Sequence, residues 1–241
     1  MSEWGILEPV SRPEPEPQAV GASAANGLMD GLSLGDHDKA AERVYRFSLS
    51  TSIDDQRNLV DHLVALIEVD SEGNTQHIAS SLLEAFGRID PPPMSIADRL
   101  SKSNEFTARS CAANLMWDRA LHSPAEVSLG VLGRLADPAY EDWYVYSPAL
   151  AAAKELLLRR HSTRVLFDLL SRSEDPDVRH TVVSALIDVA RVDPCAVPRD
   201  LAERLGRDEN QHVSLMSEQL LGLLDAQPAP AFSTLVGHFG L

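Results

Sequence analysis

Apolar positions along this chain recur on two scales at once. Within short windows they fall three and four residues apart, which marks one buried face on an α-helix. Over longer distances they return every thirty-five residues. One column reads Ile96, Val131, Leu166, Leu201, and a second reads Leu100, Leu135, Leu170, Leu205. Two more run Ala112, Ser147, Val182, Ser217 and Leu115, Leu150, Ala185, Leu220. A period of roughly 34–47 residues belongs to helix pairs stacked side by side, because one pair cannot bury its apolar face alone. The expected fold is therefore all-α, an α-solenoid of about five to six helix pairs.

The pattern also places the elements. Short helices are expected near 95–102, 124–136, 163–172 and 197–206, alternating with longer ones near 104–121, 142–160, 175–192 and 209–225. Breakers sit between them: Ser123-Pro124, Asp137-Pro138, Asp175-Pro176, Asp193-Pro194 and Val197-Pro198. Upstream, helices are expected around Ala41–Ser48, over Ile53–Val69, and around Ile78–Phe86, the last stopped by Pro91-Pro92-Pro93. Leu63 and Ile67 fall into the columns of Ile96 and Leu100 if the spacing shortens by two residues. Residues 1–36 are rich in Pro, Glu and Gly, and read as a tail too poor in apolar surface to offset its ordering entropy. The helical array is expected over 37–225. Residues 226–241 form a second tail, whose Phe232, Leu235, Val236 and Phe239 could cap the last pair.

One stretch carries a family likeness. Asp175-Pro176-Asp177-Val178-Arg179, followed by Val182, Ala185 and Leu186, resembles the second half of a HEAT repeat. In that family the Asp sits in the turn between two helices, and the Val-Arg opens the second. Arg109, ahead of Ala112, Leu115 and Met116, repeats the pattern; Tyr144 and Ser214 stand where the arginine is missing. The resemblance covers roughly residues 38–225. It implies an α-solenoid and says little about activity.

Composition changes this picture in one respect. The chain carries 36 acidic and 21 basic side chains, a net charge of −15. Phosphate backbones repel such a surface, which argues against nucleic acid; the acidic balance either keeps the protein soluble, the more economical reading, or steers a basic partner. No apolar run approaches the ~18–20 residues that span a bilayer, and no secretory pattern opens the chain. The expected compartment is the cytoplasm, with Cys111 and Cys195 as reduced thiols.

Chemistry is harder to find. The eight histidines show no H-x-x-x-H or H-E-x-x-H spacing, and there is no nucleophile elbow, P-loop or dinucleotide fingerprint. No catalytic, metal or cofactor residue is assigned. Arg159-Arg160-His161 closes one helix, where the macrodipole already favours cations. The most irregular stretch is Tyr140 through Pro148. It holds Tyr140, Trp143, Tyr144 and Tyr146, and its proline falls where neighbouring repeats are mid-helix. That proline either kinks the helix or delays its start, with Ser147 as cap. Such aromatic side chains either fill the space that a shortened helix leaves behind or, as at many binding hot spots, anchor a partner.

The expected function is thus a non-enzymatic scaffold or adaptor that recognises a protein or peptide, with its oligomeric state open. Candidate anchors are Tyr140, Trp143, Tyr144 and Tyr146, with Arg109 and Arg179 on exposed helix flanks and Trp4 as a docking residue in the tail. The alternatives are a HEAT-like enzyme or accessory, of the bilin-lyase or alkylpurine-glycosylase kind, and an acidic immunity or regulatory protein covering a basic partner.

Overall fold

The computed structural model describes residues 17–69, 74–138, 141–159 and 163–226. They divide into two compact units, split between Asp90 and Pro91. The described residues of both units are α-helical, joined by turns and two short 3-10 segments, and stack as the hairpins of an α-solenoid.

The first unit holds α1 (Pro17–Met29), α2 (His37–Ser50), α3 (Ile53–Glu68) and α4 (Thr75–Ile89). Helix α1 packs on α3 and α2 on α4, so two hairpins lie like on like. Leu59, Leu63, Ile67, Leu82 and Leu83 are fully buried between them, and Phe47 meets Phe86 edge-on at 6.3 Å. Ser52 caps α3 by accepting from the Asp55 amide at 3.2 Å.

Helix α1 corrects the expectation of an unstructured tail through residue 36; residues 1–16 lie outside the described residues. Its small side chains are what make it work. A Cβ on Gly21 would stand 2.4 Å from the Asn58 carbonyl oxygen, so the two backbones meet at a distance only glycine permits. Ala25 and Leu28 are buried beside it. Arg43 then closes the helix end by donating to the Leu28 and Asp30 carbonyls at 2.7 and 2.5 Å. Helix α2 thus gains α1 as its hairpin partner.

The second unit comprises α5 (Met94–Leu100), α6 (Phe106–His122), α7 (Leu129–Leu135), α8 (Trp143–Leu158), α9 (Arg164–Leu170), α10 (Pro176–Val192), α11 (Arg199–Leu205) and α12 (Gln211–Asp225). Each short helix packs on the long helix after it, and long helices pack in series, α6 on α8, α8 on α10, α10 on α12. Column residues Val131, Leu166 and Leu201 are buried, as are Leu100, Leu135, Leu170 and Leu205. The 3-10 turns at Pro124–Glu126 and Pro194–Ala196 occur in alternate repeats, seventy residues apart.

Alternation runs deeper than the turns. Arg109 donates its Nε to both Glu141 oxygens at 2.9 Å, and its Nη1 to the Ser103 and Asn104 carbonyls. Seventy residues on, Arg179 grips Asp208 through Nε and Nη2 at 2.7 and 2.9 Å, and caps the Ser173 and Glu174 carbonyls with Nη1. Among the first helices, Arg134 reaches back to Asp98 and Ser101, and Arg204 to Asp168 and Ser171. Each arginine links one hairpin to the next.

Candidate binding site

The irregular helix α8 is where a site forms. It begins at Trp143, four residues before Ser147, with Asp142 as cap accepting from the Tyr144 amide at 3.3 Å. Pro148 therefore lies inside the helix rather than opening it. Proline has no N–H to give to the carbonyl four residues earlier, which is that of Tyr144. The Ser110 hydroxyl on α6 donates to that oxygen instead, at 3.2 Å. An acceptor orphaned by one repeat is satisfied by its neighbour, and the aromatic first turn of α8 is held in place.

That turn presents its rings outward. Trp143 is 61% exposed and stands edge-on to Tyr146 at 5.4 Å. Tyr144 is 68% exposed and meets Phe106 of α6 edge-on at 6.4 Å. Tyr146 is partly covered; its burial, then the charge of Asp142, raises the phenol's pKa above its ordinary value. Tyr140 and Trp4, also expected as anchors, lie outside the described residues.

Trp143 and Tyr146 form the mouth of a groove between α8 and α10. It encloses about 370 Å³, with Leu150 and Ala185 among its lining and His180, Thr181 and Ser184 contributed by α10. A second hollow of about 190 Å³ continues it toward Leu158 and Val192, sharing Ala151, Lys154 and Asp188. Lys154 and Asp188 pair across it at 3.0 Å. The groove has a packing cause. Helix α8 lies in much closer contact with α6 than with α10. Fully buried alanines explain the close side: Ala108, Ala112 and Ala113 on α6, and Ala149, Ala152 and Ala153 on α8. Small residues let two helices approach, and the opposite face of α8 is left spread from its neighbour.

Arg109 and Arg179 are not surface anchors, which corrects the expectation placed on them. Their side chains retain only 23% and 9% exposure, and both hold inter-hairpin carboxylates and turn carbonyls. The partner carboxylate and the helix-end acceptors take up donors that a lone reading of the helix face leaves facing solvent. Of the cationic cluster after α8, Arg159 pairs with Glu155 at 2.6 Å and Arg164 with Asp200; residues 160 and 161 lie outside the described residues.

Sequence reasoning missed Phe106, Lys154, His180 and Asp188. A usable signal existed, because the residues facing Trp143 and Ser147 come from the next repeat, close to one period downstream. Among the described residues, no group of three or more His, Cys, Asp or Glu is placed to hold a metal ion. Among them, too, no helix is long and apolar enough to cross a membrane.

No family model matches the chain, and no curated protein does. Among solved structures, it is similar to a designed armadillo repeat protein at 15% identity and a TM-score of 0.41, over 86% of this chain and 99% of that one. It is likewise similar to a computationally designed armadillo repeat protein for modular peptide recognition, at 14% identity and a TM-score of 0.43, over 86% and 98%.

Proposed function

We propose that this chain is a non-enzymatic binding scaffold that recognises a protein or peptide partner along the α8–α10 groove. The observation that carries this reading is the continuity of exposed Trp143, stacked edge-on against half-buried Tyr146, with a groove of about 370 Å³. Large, rotor-poor rings beside a partly apolar trough are the usual anchors of peptide recognition. A basic segment suits it best. The chain carries a net charge of −15, and Asp142 acts on the Tyr146 phenol at the groove. An arginine or lysine laid over Trp143 gains a cation–π attraction of about 0.5–2 kcal/mol. Nearby carboxylates steer its approach.

The test is a fluorescence titration of the full chain with three labelled decapeptides of matched length, one bearing arginines, one glutamates and one neither. The arginine peptide is expected to bind best, weaken as salt rises, and lose at least tenfold in affinity in the Trp143→Ala/Tyr146→Ala variant. Equal binding of all three peptides, or an unchanged affinity in the variant, overturns the reading.

A further inference from the structure

Both arginine ladders skip the same step. On the long helices the clamp is Arg109 in α6 and Arg179 in α10; the position between them, thirty-five residues from each, is Tyr144 in α8. On the short helices the clamp is Arg134 in α7 and Arg204 in α11; the position between is Leu169 in α9. The acceptors change with the donor. Where Asp98 and Asp168 receive those short-helix arginines, the intervening residue is Gly133, and where Ser101 and Ser171 do, it is Ala136. Tyr144 and Leu169 are both strongly exposed, at 68% and 63%.

We infer that the step from the α7–α8 hairpin to the α9–α10 hairpin is a hinge between two arginine-clamped double hairpins, and that it sets the width of the binding groove. The clamped steps resist rotation because Arg179 and Asp208 are each more than nine-tenths buried, and movement would leave charges without partners. The Arg109–Glu141 bridge does the same for α6 and α8. Among the described residues, the skipped step is crossed by the Thr163 hydroxyl donating to the Ala153 carbonyl and by Lys154 pairing with Asp188 at 30% and 48% exposure, a geometry that resists less than the buried long-helix clamps. Packing agrees, since α8 lies in much closer contact with α6 than with α10 and leaves open space toward α10. The groove lies along this hinge, so a partner touching α8 and α10 together binds one width better than others and shifts the population toward it. That last link rests on the binding reading above; the hinge itself does not.

Exposed residues Ser95, Gly130, Val165 and Asp200 stand thirty-five apart on the four short helices, one per hairpin. Nitroxide labels on cysteines at adjacent members of this set, in a Cys195→Ser background of the full chain, report each step by dipolar spectroscopy. The Gly130–Val165 distribution is expected to be at least twice as broad as those of Ser95–Gly130 and Val165–Asp200. Equal widths overturn the hinge. Installing the short-helix clamp with Gly133→Asp and Leu169→Arg is expected to narrow the broad pair. A Cβ at Gly133 has room, its nearest neighbour being a Leu166 methyl at 3.9 Å. Persistent breadth in a folded double variant overturns the ladders as the cause. Adding the arginine decapeptide narrows the same pair in the unmodified ladder; saturating binding without narrowing overturns the link between hinge and groove. A peptide that fails to bind shows in the fluorescence titration and counts against the binding reading alone, because the widths of the free protein still judge the hinge.

Discussion

At the scale of single residues, the buried charge of Arg179 joins one repeat to the next. Arg179 makes four hydrogen bonds, two to Asp208 and two to turn carbonyls. Arg179→Ala is expected to lower unfolding free energy by about 3 kcal/mol, because it strands a buried carboxylate. Arg204→Ala, whose partner Asp168 is more exposed, is expected to cost far less. Urea unfolding of both variants checks the contrast. Asp208 also sets a pH dependence. The Arg179 hydrogen bond, aided by the Asn210 amide and opposed by burial, holds its carboxyl below the ordinary value. A depressed carboxylate contributes stability that is complete above the unfolded pKa of about 3.9 and is lost as pH falls through the folded one. The acid limb of a stability-against-pH curve is therefore expected to flatten in Arg179→Ala. An unchanged limb would remove Asp208 as its source.

At the scale of elements, two helices show how local rules and tertiary packing trade places. Helix α8 tolerates Pro148 because Ser110 serves the orphaned Tyr144 carbonyl. Ser110→Ala is expected to destabilise by about 0.5–1.5 kcal/mol. In a Pro148→Ala background, where the helix recovers its own amide, that loss is expected to vanish; a double-mutant cycle by thermal unfolding reads the coupling. Equal losses in both backgrounds would mean that the hydroxyl does not act through the proline. Helix α1 is the converse. Its Gly/Ala/Ser composition reads as a linker, yet Gly21 is the point of closest approach to α3. Gly21→Val is expected to lower stability by about 1–3 kcal/mol, measured by urea unfolding, whereas Gly27→Ala, with nothing within 4 Å, is expected to be neutral or stabilising.

At the scale of the whole molecule, the thirty-five-residue columns made the hairpins of the second unit legible to within a few residues, because a shared core forces the same apolar position in every repeat. Helix α1 was not legible, since close approach through glycine leaves no hydrophobic periodicity to detect. The aromatic half of the groove could be read from the crowding of Trp143, Tyr144 and Tyr146. The α10 half could not, because His180, Thr181 and Asp188 look like an ordinary solvated helix face until a neighbour is placed beside them. The arginines misled for a related reason: a cation opening a helix looks exposed until the next turn supplies its carboxylate.

The α8–α10 groove is the proposed seat of a partner. The most direct measurement is a backbone-amide NMR titration of the full chain with the arginine decapeptide, together with the Trp143 indole resonance. Shifts confined to Trp143–Leu158 and His180–Val192, with the indole among the largest, are predicted. Shifts centred on another helix, with α8 and α10 silent, would contradict it.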